Sequence, residues 1–246
     1  MKRQENLVVG EAEIKLGDTL VPYVIKRSTK AKHVRFSISV GKGLEVVIPR
    51  DYPADQVASL LYEREKWILE KLQSVAETAA LIKTAREDAG SLIRYLGKEY
   101  RVVVILDVAS PMRVELDGDK AYITLPRRSE ELLRQIIEAW YRWAAKSLFE
   151  ERVKMWAERI GVSYQNIFVK NQKTRWGSCS KRQNLNLNMR IIMAPLEVVD
   201  YLLVHELSHL KEMNHSKRFW SLVEHYCPGY KRQLAWLKKY GQSLTI

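Results

Sequence analysis

HELSHLKEMNH, residues 205–215, brings three of the chain's five histidines and an adjacent acid into one short stretch. If His205 and His209 share an α-helix, the four residues between them turn through ~400°, so the two imidazoles project from one face, one turn apart. That pair offers two nitrogen ligands to a divalent metal. Glu206 follows the first histidine and stands where an HExxH sequence places a general base, within reach of water at the metal. The stretch therefore demands a helix, and Val198, Val199, Leu202 and Leu203 upstream give that helix an apolar back, with Pro195 where it can start.

A third ligand requires the helix to stop. An unbroken helix would carry His215 ~9 Å along the axis from His209, against a zinc–nitrogen bond of ~2.1 Å. Asn214 is a place to turn, because asparagine tolerates the left-handed conformation that closes helices. Glu224, on the next helical segment, competes with His215 for the third position. The H-E-x-x-H-x5-H spacing matches the ligand positions of metzincin proteases, but the glycine those proteins carry three residues after the second histidine is Glu212 here. His33 and His225 read as surface or packed residues, with His225 near enough in sequence to orient a ligand. Cys179 and Cys227 are the only cysteines. They are too few for a disulfide scaffold and read as reduced thiols.

Composition bounds the rest. With 246 residues, 46% of them hydrophobic, the chain can bury a core as one large domain or two small ones. The opening MKRQENLVVGEAEIKLGD has no apolar signal region, and no run approaches the ~18 apolar residues of a membrane span, so a cytoplasmic protein with no membrane partner is expected. The formal charge is +12. Lys26, Arg27, Lys30, Lys32 and Arg35 form one run without an acid, and Lys170, Lys173, Arg175, Lys181, Arg182 and Arg190 form another. Such runs attract phosphates or acidic substrates, or else form a solvated basic face.

Alternating apolar positions predict a hairpin within 21–49, with Val34, Phe36, Ile38 and Val40 facing Leu44, Val46 and Ile48 across a GKG turn. Helical spacing follows from Asp51 to about Glu87. Strands return at Tyr100–Leu106, Arg113–Leu116 and Ala121–Leu125. Ser129 caps a long helix that ends at Gly161, its stripe including Trp140 and Trp143 as core residues. Short strands are expected around 167–173 and 184–192, and helices carrying Phe219, Trp220 and Val223, then Leu234, Trp236 and Leu237. Trp176 and Gly177 read as a packed aromatic and a turn. No repeat of solenoid length is visible. The fold class is α+β: residues 1–128 form an N-terminal region of β-hairpins and helices, and residues 129–246 a metal-binding domain.

KTRWGSCS, then NLNLNMRIIMAPLEVVDYLLVHELSHLKEMNHSKRFW, then PGY, together resemble the YgjP-like metallopeptidase-domain family, related to SprT-like zincins. The resemblance runs from the basic strand KRSTKAKHVRF to Tyr230. It implies a minimal zincin fold behind the β-containing region, with His205, His209 and His215 as zinc ligands and Glu206 as base, and it favours His215 over Glu224. Zinc-bound water activated by Glu206 would attack a peptide bond, with Tyr230 or Arg175 as oxyanion donor and the strand at 184–192 pairing with an extended substrate. Manganese or nickel would also accept imidazole ligands. A nucleoside triphosphate pyrophosphohydrolase is the alternative, its phosphates held by Lys173, Arg175 and Lys181. A nucleic-acid-associated hydrolase stands third; the chain carries no helix-turn-helix or zinc-finger reader.

Overall fold

The computed structural model describes residues 7–88, 90–172 and 174–246. The chain divides into two compact units, Met1–Leu81 and Ile82–Ile246. In the first, β1 (Leu7–Leu16), β2 (Thr19–Ser28), β3 (Arg35–Ser39) and β4 (Gly43–Pro49) form a sheet of order β1-β2-β4-β3, antiparallel except for the parallel β2–β4 pair. Period-two alternation puts Leu44, Val46 and Ile48 on the inner face of β4. They bury against Val57 and Leu61 of α1 (Val57–Glu63) and Ile68 of α2 (Glu65–Glu87). The first basic run is partly consumed by this packing. Lys26 pairs with Glu45, and Arg27 donates to the carbonyls of Arg50 and, at 3.2 Å, Tyr52. Lys30, Lys32, His33 and Arg35 stay exposed.

The second unit opens with a sheet of the same design. β5 (Leu92–Tyr95), β6 (Lys98–Leu106), β7 (Arg113–Asp117) and β8 (Lys120–Leu125) run in the order β5-β6-β8-β7 with the same alternation of strand directions. Both sheets end in Pro-Arg, at Pro49-Arg50 and Pro126-Arg127, and both lead into helix. The chain thus repeats a four-stranded topology. The units part between Leu81 and Ile82 rather than near residue 128, because the second sheet shares its core with the following helix: Ile93, Ala121, Ile123 and Leu125 pack with Ile137, Trp140 and Tyr141. Tyr141 adds a polar tie, accepting from the Arg94 N–H and donating to the Arg94 carbonyl, each at 2.9 Å.

That helix is α3 (Glu130–Ile160). Ser129 Oγ accepts from the Leu132 N–H at 3.3 Å, and Gly161 closes it at φ 70°. Trp140 lies in the core, but Trp143 is 67% exposed, because the buried stripe runs through Tyr141, Ala144 and Ala145 instead. A third sheet follows, of order β10-β11-β9, from β9 (Asn166–Lys170), β10 (Gly177–Cys179) and β11 (Asn184–Asn188). The alternation of 184–192 ends as strand at Asn188, whose side chain accepts from the Arg190 N–H at 3.2 Å and starts a 3-10 turn over Met189–Met193. Three helices complete the unit: α4 (Leu196–Ser208), α5 (Lys217–Tyr226) and α6 (Tyr230–Tyr240).

The start of α4 is clamped by the β5–β6 turn. Leu96 and Gly97 both have positive φ, 50° and 79°, as a two-residue hairpin loop requires. Their N–H groups donate to the carbonyls of Ile192 (2.7 Å) and Met193 (3.3 Å). A Cβ on Gly97 would lie 3.1 Å from Cα of Pro195, the residue that opens α4. Farther along, Asp200 accepts from Arg152 Nε at 2.9 Å and Trp156 Nε1 at 3.0 Å, tying α4 to α3. No described helix is long and apolar enough to cross a membrane.

Candidate active site

The HExxH helix ends where the ligand geometry needs it to. α4 stops at Ser208, a buried hydroxyl that donates to the Val204 carbonyl at 2.7 Å, a bond that competes with continued helix. The amides of Lys211 (3.0 Å) and Glu212 (2.9 Å) then fold back onto the Ser208 carbonyl. Lys211 also donates its ammonium to the Ile160 carbonyl at 2.6 Å, pinning this turn to the end of α3. The chain bends at residues 213 and 214. Among the described residues only Leu96 and Gln183 are non-glycine residues with positive φ, so Asn214 is not left-handed; the tight turn after Ser208 does the work expected of it. Ser216 Oγ then accepts from the Phe219 N–H at 3.3 Å and starts α5 directly after His215.

The result gathers His205, His209 and His215, whose ligand atoms all lie within 4.8 Å of one another. Glu224 is outside this group; its Oε1 accepts from the Gly229 N–H at 3.1 Å beside the start of α6. His225 packs edge-on against Tyr226, and neither Cys179 nor Cys227 joins the cluster. The cluster fits a divalent cation. His209 Nδ1 lies 3.1 Å from the Glu212 carbonyl, which can only accept, so Nε2 keeps its lone pair for the site. Burial, and then the neighbouring histidines, push His205 down to about 4, and burial also lowers His209. Nε2 of His205 and of His215 stand 3.2 Å apart, two nitrogens that a shared cation would reconcile.

Aromatic rings hold the imidazoles. Phe219, fully buried, stacks on His209 with centroids 4.5 Å apart and meets His205 and His215 edge-on at 4.9 and 4.8 Å. Trp220 stacks on His215 at 5.6 Å and on Tyr230 at 5.1 Å, and Tyr230 stacks in turn on Tyr201 at 6.1 Å. From sequence, Phe219 and Trp220 read only as the apolar face of a helix. Their position in the first turn after His215 is the signal that they do more.

Glu206 is 5% exposed and faces β10. A Cβ on Gly177 would lie 2.5 Å from Glu206 Oε1, so this glycine opens a strand rather than a turn and leaves room for the carboxylate. Burial pushes the carboxyl up to about 8, opposed by the Arg175 charge. Arg175 is exposed, on a segment held by Asn188, which donates to the carbonyls of Gln172 (2.6 Å) and Arg175 (3.0 Å). Arg190 is committed to structure: it donates to the carbonyls of Gln172 and Leu244 and lies over the Trp176 ring, 5.4 Å from its centroid. Lys181 sits in the turn at the far end of β10 from Arg175, so the two do not form one cradle, and Lys173 lies outside the described residues.

β10 and β9 are edge strands, and β11 is central. The Asn188 N–H reaches the Trp176 carbonyl (2.8 Å) and the Ser180 N–H reaches the Asn184 carbonyl (3.0 Å), so residues 176, 178 and 180 spend their backbone groups on β11. Gly177 and Cys179 alternate with them and turn their N–H and C=O groups to the open edge, beside Glu206.

Against known proteins, the sequence matches the family described as YgjP-like, metallopeptidase domain, over residues 32–240. The crystal structure of the metallopeptidase zymogen abylysin of Pyrococcus abyssi is 25% identical at a TM-score of 0.35, covering 38% of this chain and 95% of that one. The zymogen jannalysin of Methanocaldococcus jannaschii is 25% identical at a TM-score of 0.33, covering 37% of this chain and 91% of that one. No curated protein matches the chain. With the match spanning most of its length, the chain belongs to the YgjP-like metallopeptidase-domain family.

Proposed function

We propose that this chain is a zinc metallopeptidase in which His205, His209 and His215 hold one ion and Glu206 is the general base. The observation that carries this reading is the convergence of three imidazole ligand atoms within 4.8 Å, next to a buried carboxylate on the same helix. When bound, the ion supplies Lewis acidity toward a carbonyl and lowers the pKa of water. Glu206 takes a proton at a carboxylate oxygen and returns it to the leaving amine. Gly177 holds that carboxylate from behind. Arg175, whose charge acts on Glu206, and Tyr230, which borders the same surface depression as His215, are the candidates to donate to an oxyanion.

An extended peptide would add a strand to the open edge of β10, using the backbone groups of Gly177 and Cys179. This supports a peptide over a nucleotide, since Arg190 is spent on backbone carbonyls and Arg175 and Lys181 are separated by the strand. The test is Glu206→Gln in zinc-loaded protein. Loss of peptide cleavage with zinc retained is expected, and undiminished cleavage would overturn the assignment of the base.

A further inference from the structure

We infer that a cationic cavity at the entrance to β10 selects peptides that carry a carboxylate near the scissile bond. This rests on the peptidase reading and adds a specificity to it. The cavity, of about 780 Å³, has Arg86, Arg175, Arg190 and Lys238 on its wall, with Trp176 and Leu237 as apolar surface and, among the described residues, no aspartate or glutamate. Arg190 is spent on the carbonyls of Gln172 and Leu244, and the other three, Arg86, Arg175 and Lys238, belong to no ion pair among the described residues. Thr245 Oγ1, a further donor on the wall, is buried and has no hydrogen-bond partner among the described residues.

The contrast with a second cavity of this unit, of about 500 Å³, is informative. There Arg94 and Arg134 are accompanied by Asp88 and Glu130, and Arg94 is bonded to Asp88 at 2.6 Å. The cavity at β10 has no such internal counter-charge. Uncompensated cations at a concave wall focus the field and draw an anion. A phosphate cradle would add backbone N–H groups from a glycine-rich loop or a helix N-terminus. Here the wall is met instead by the last turn of α6, at Leu237 and Lys238, which favours a carboxylate gripped by side chains.

Its place links it to catalysis. Trp176 lies on the cavity wall and directly precedes Gly177, which touches Glu206, while the Arg175 charge reaches Glu206 itself. Because Trp176 and Gly177 are adjacent, a peptide lying along β10 at ~3.3 Å per residue would pass both the cavity wall and Glu206. An aspartate or glutamate side chain, or a free C-terminus, would supply the carboxylate.

The experiment measures binding to zinc-loaded Glu206→Gln protein by fluorescence anisotropy, so the readout does not depend on turnover. The labelled peptides are otherwise neutral: one carries an internal glutamate with blocked ends, one a free C-terminal carboxylate, and one neither. At least one carboxylate peptide should bind roughly tenfold more tightly than the neutral one, the difference shrinking with added salt. Which of the two binds better identifies the source. Lys238→Glu, at an exposed position, should abolish the preference. Equal binding of all three peptides overturns the inference, as does displacement by inorganic triphosphate at lower concentration than by any peptide. A retained preference with no cleavage by the wild type would defeat the peptidase reading and leave the cavity assignment standing.

Discussion

Gly177 and Glu206 pack so closely that a β-carbon on the glycine would lie 2.5 Å from Oε1 and 2.7 Å from Cγ and Cδ of the carboxylate. No real Cβ tolerates such a contact, and Glu206, buried between α4 and the third sheet, has little room to retreat. Gly177→Ala should therefore displace Glu206, the proposed base, while leaving the histidines in place. Misplacing a catalytic group by about 1 Å costs on the order of 100-fold in rate. The expected outcome is a fall of that size in kcat with zinc stoichiometry unchanged, measured by steady-state cleavage beside metal analysis. Activity close to the wild type would show that the contact does not position Glu206.

Phe219 touches all three imidazoles. Phe219→Leu keeps an apolar side chain in the core but loses the stacked and edge-on contacts. Changes in the layer behind metal ligands commonly weaken affinity by ~10–100-fold. Competition with a chromophoric chelator should show a loss in that range while circular dichroism stays that of the wild type. An unchanged zinc affinity would reduce Phe219 to ordinary core.

Arg152 and Asp200 are each largely buried, and the carboxylate also accepts from Trp156. Removing one partner leaves a charge without compensation, at a cost of roughly 3 kcal/mol. Arg152→Ala should lower the thermal midpoint accordingly. Because the pair ties α4 to α3, hydrogen exchange in α4 should accelerate more than in β1–β4. A uniform change over the whole chain would contradict this.

Cys179 lies on β10, and burial, then the negative charge of Glu206, pushes its thiol up to about 11 from an ordinary 9.0. At pH 8 native Cys179 should react with iodoacetamide far more slowly than the unfolded chain, since the thiolate is the nucleophile. The linkage has a definite sign. The folded state holds this proton more tightly, so its contribution to stability is full below pH 9 and is lost as pH rises toward 11. Cys179→Ala should lose less stability than the wild type across that interval in denaturant titrations. Equal losses would place the thiol in water.

Much of this was readable from local chemistry. Ser129 and Gly161 mark both ends of α3 because a cap and a left-handed glycine are single-residue signals. The histidine spacing is likewise local. What was hidden depends on partners distant in sequence. β10 is three residues, Gly-Ser-Cys, with no apolar alternation, and exists because β11 pairs with it. Gly177 answers to Glu206, on another element, and so reads as a turn until the two are seen together. Asn214 suits a left-handed turn, but the Ser208 and Lys211 contacts close the helix earlier. Arg190, one charge among several in sequence, is held by the carbonyls of Gln172 and Leu244. The repeated sheet topology leaves little more in the sequence than Pro49-Arg50 and Pro126-Arg127, because strand order constrains direction and burial more than residue identity.

The central claim, a zinc peptidase with Glu206 as base, is tested most directly by pairing metal content with turnover for wild type and Glu206→Gln on one peptide panel. Both proteins should carry one zinc per chain, and the variant should cleave at least about 100-fold more slowly, as loss of a general base entails. Cleavage by the variant at the wild-type rate, or a wild type that binds no zinc, would contradict the account.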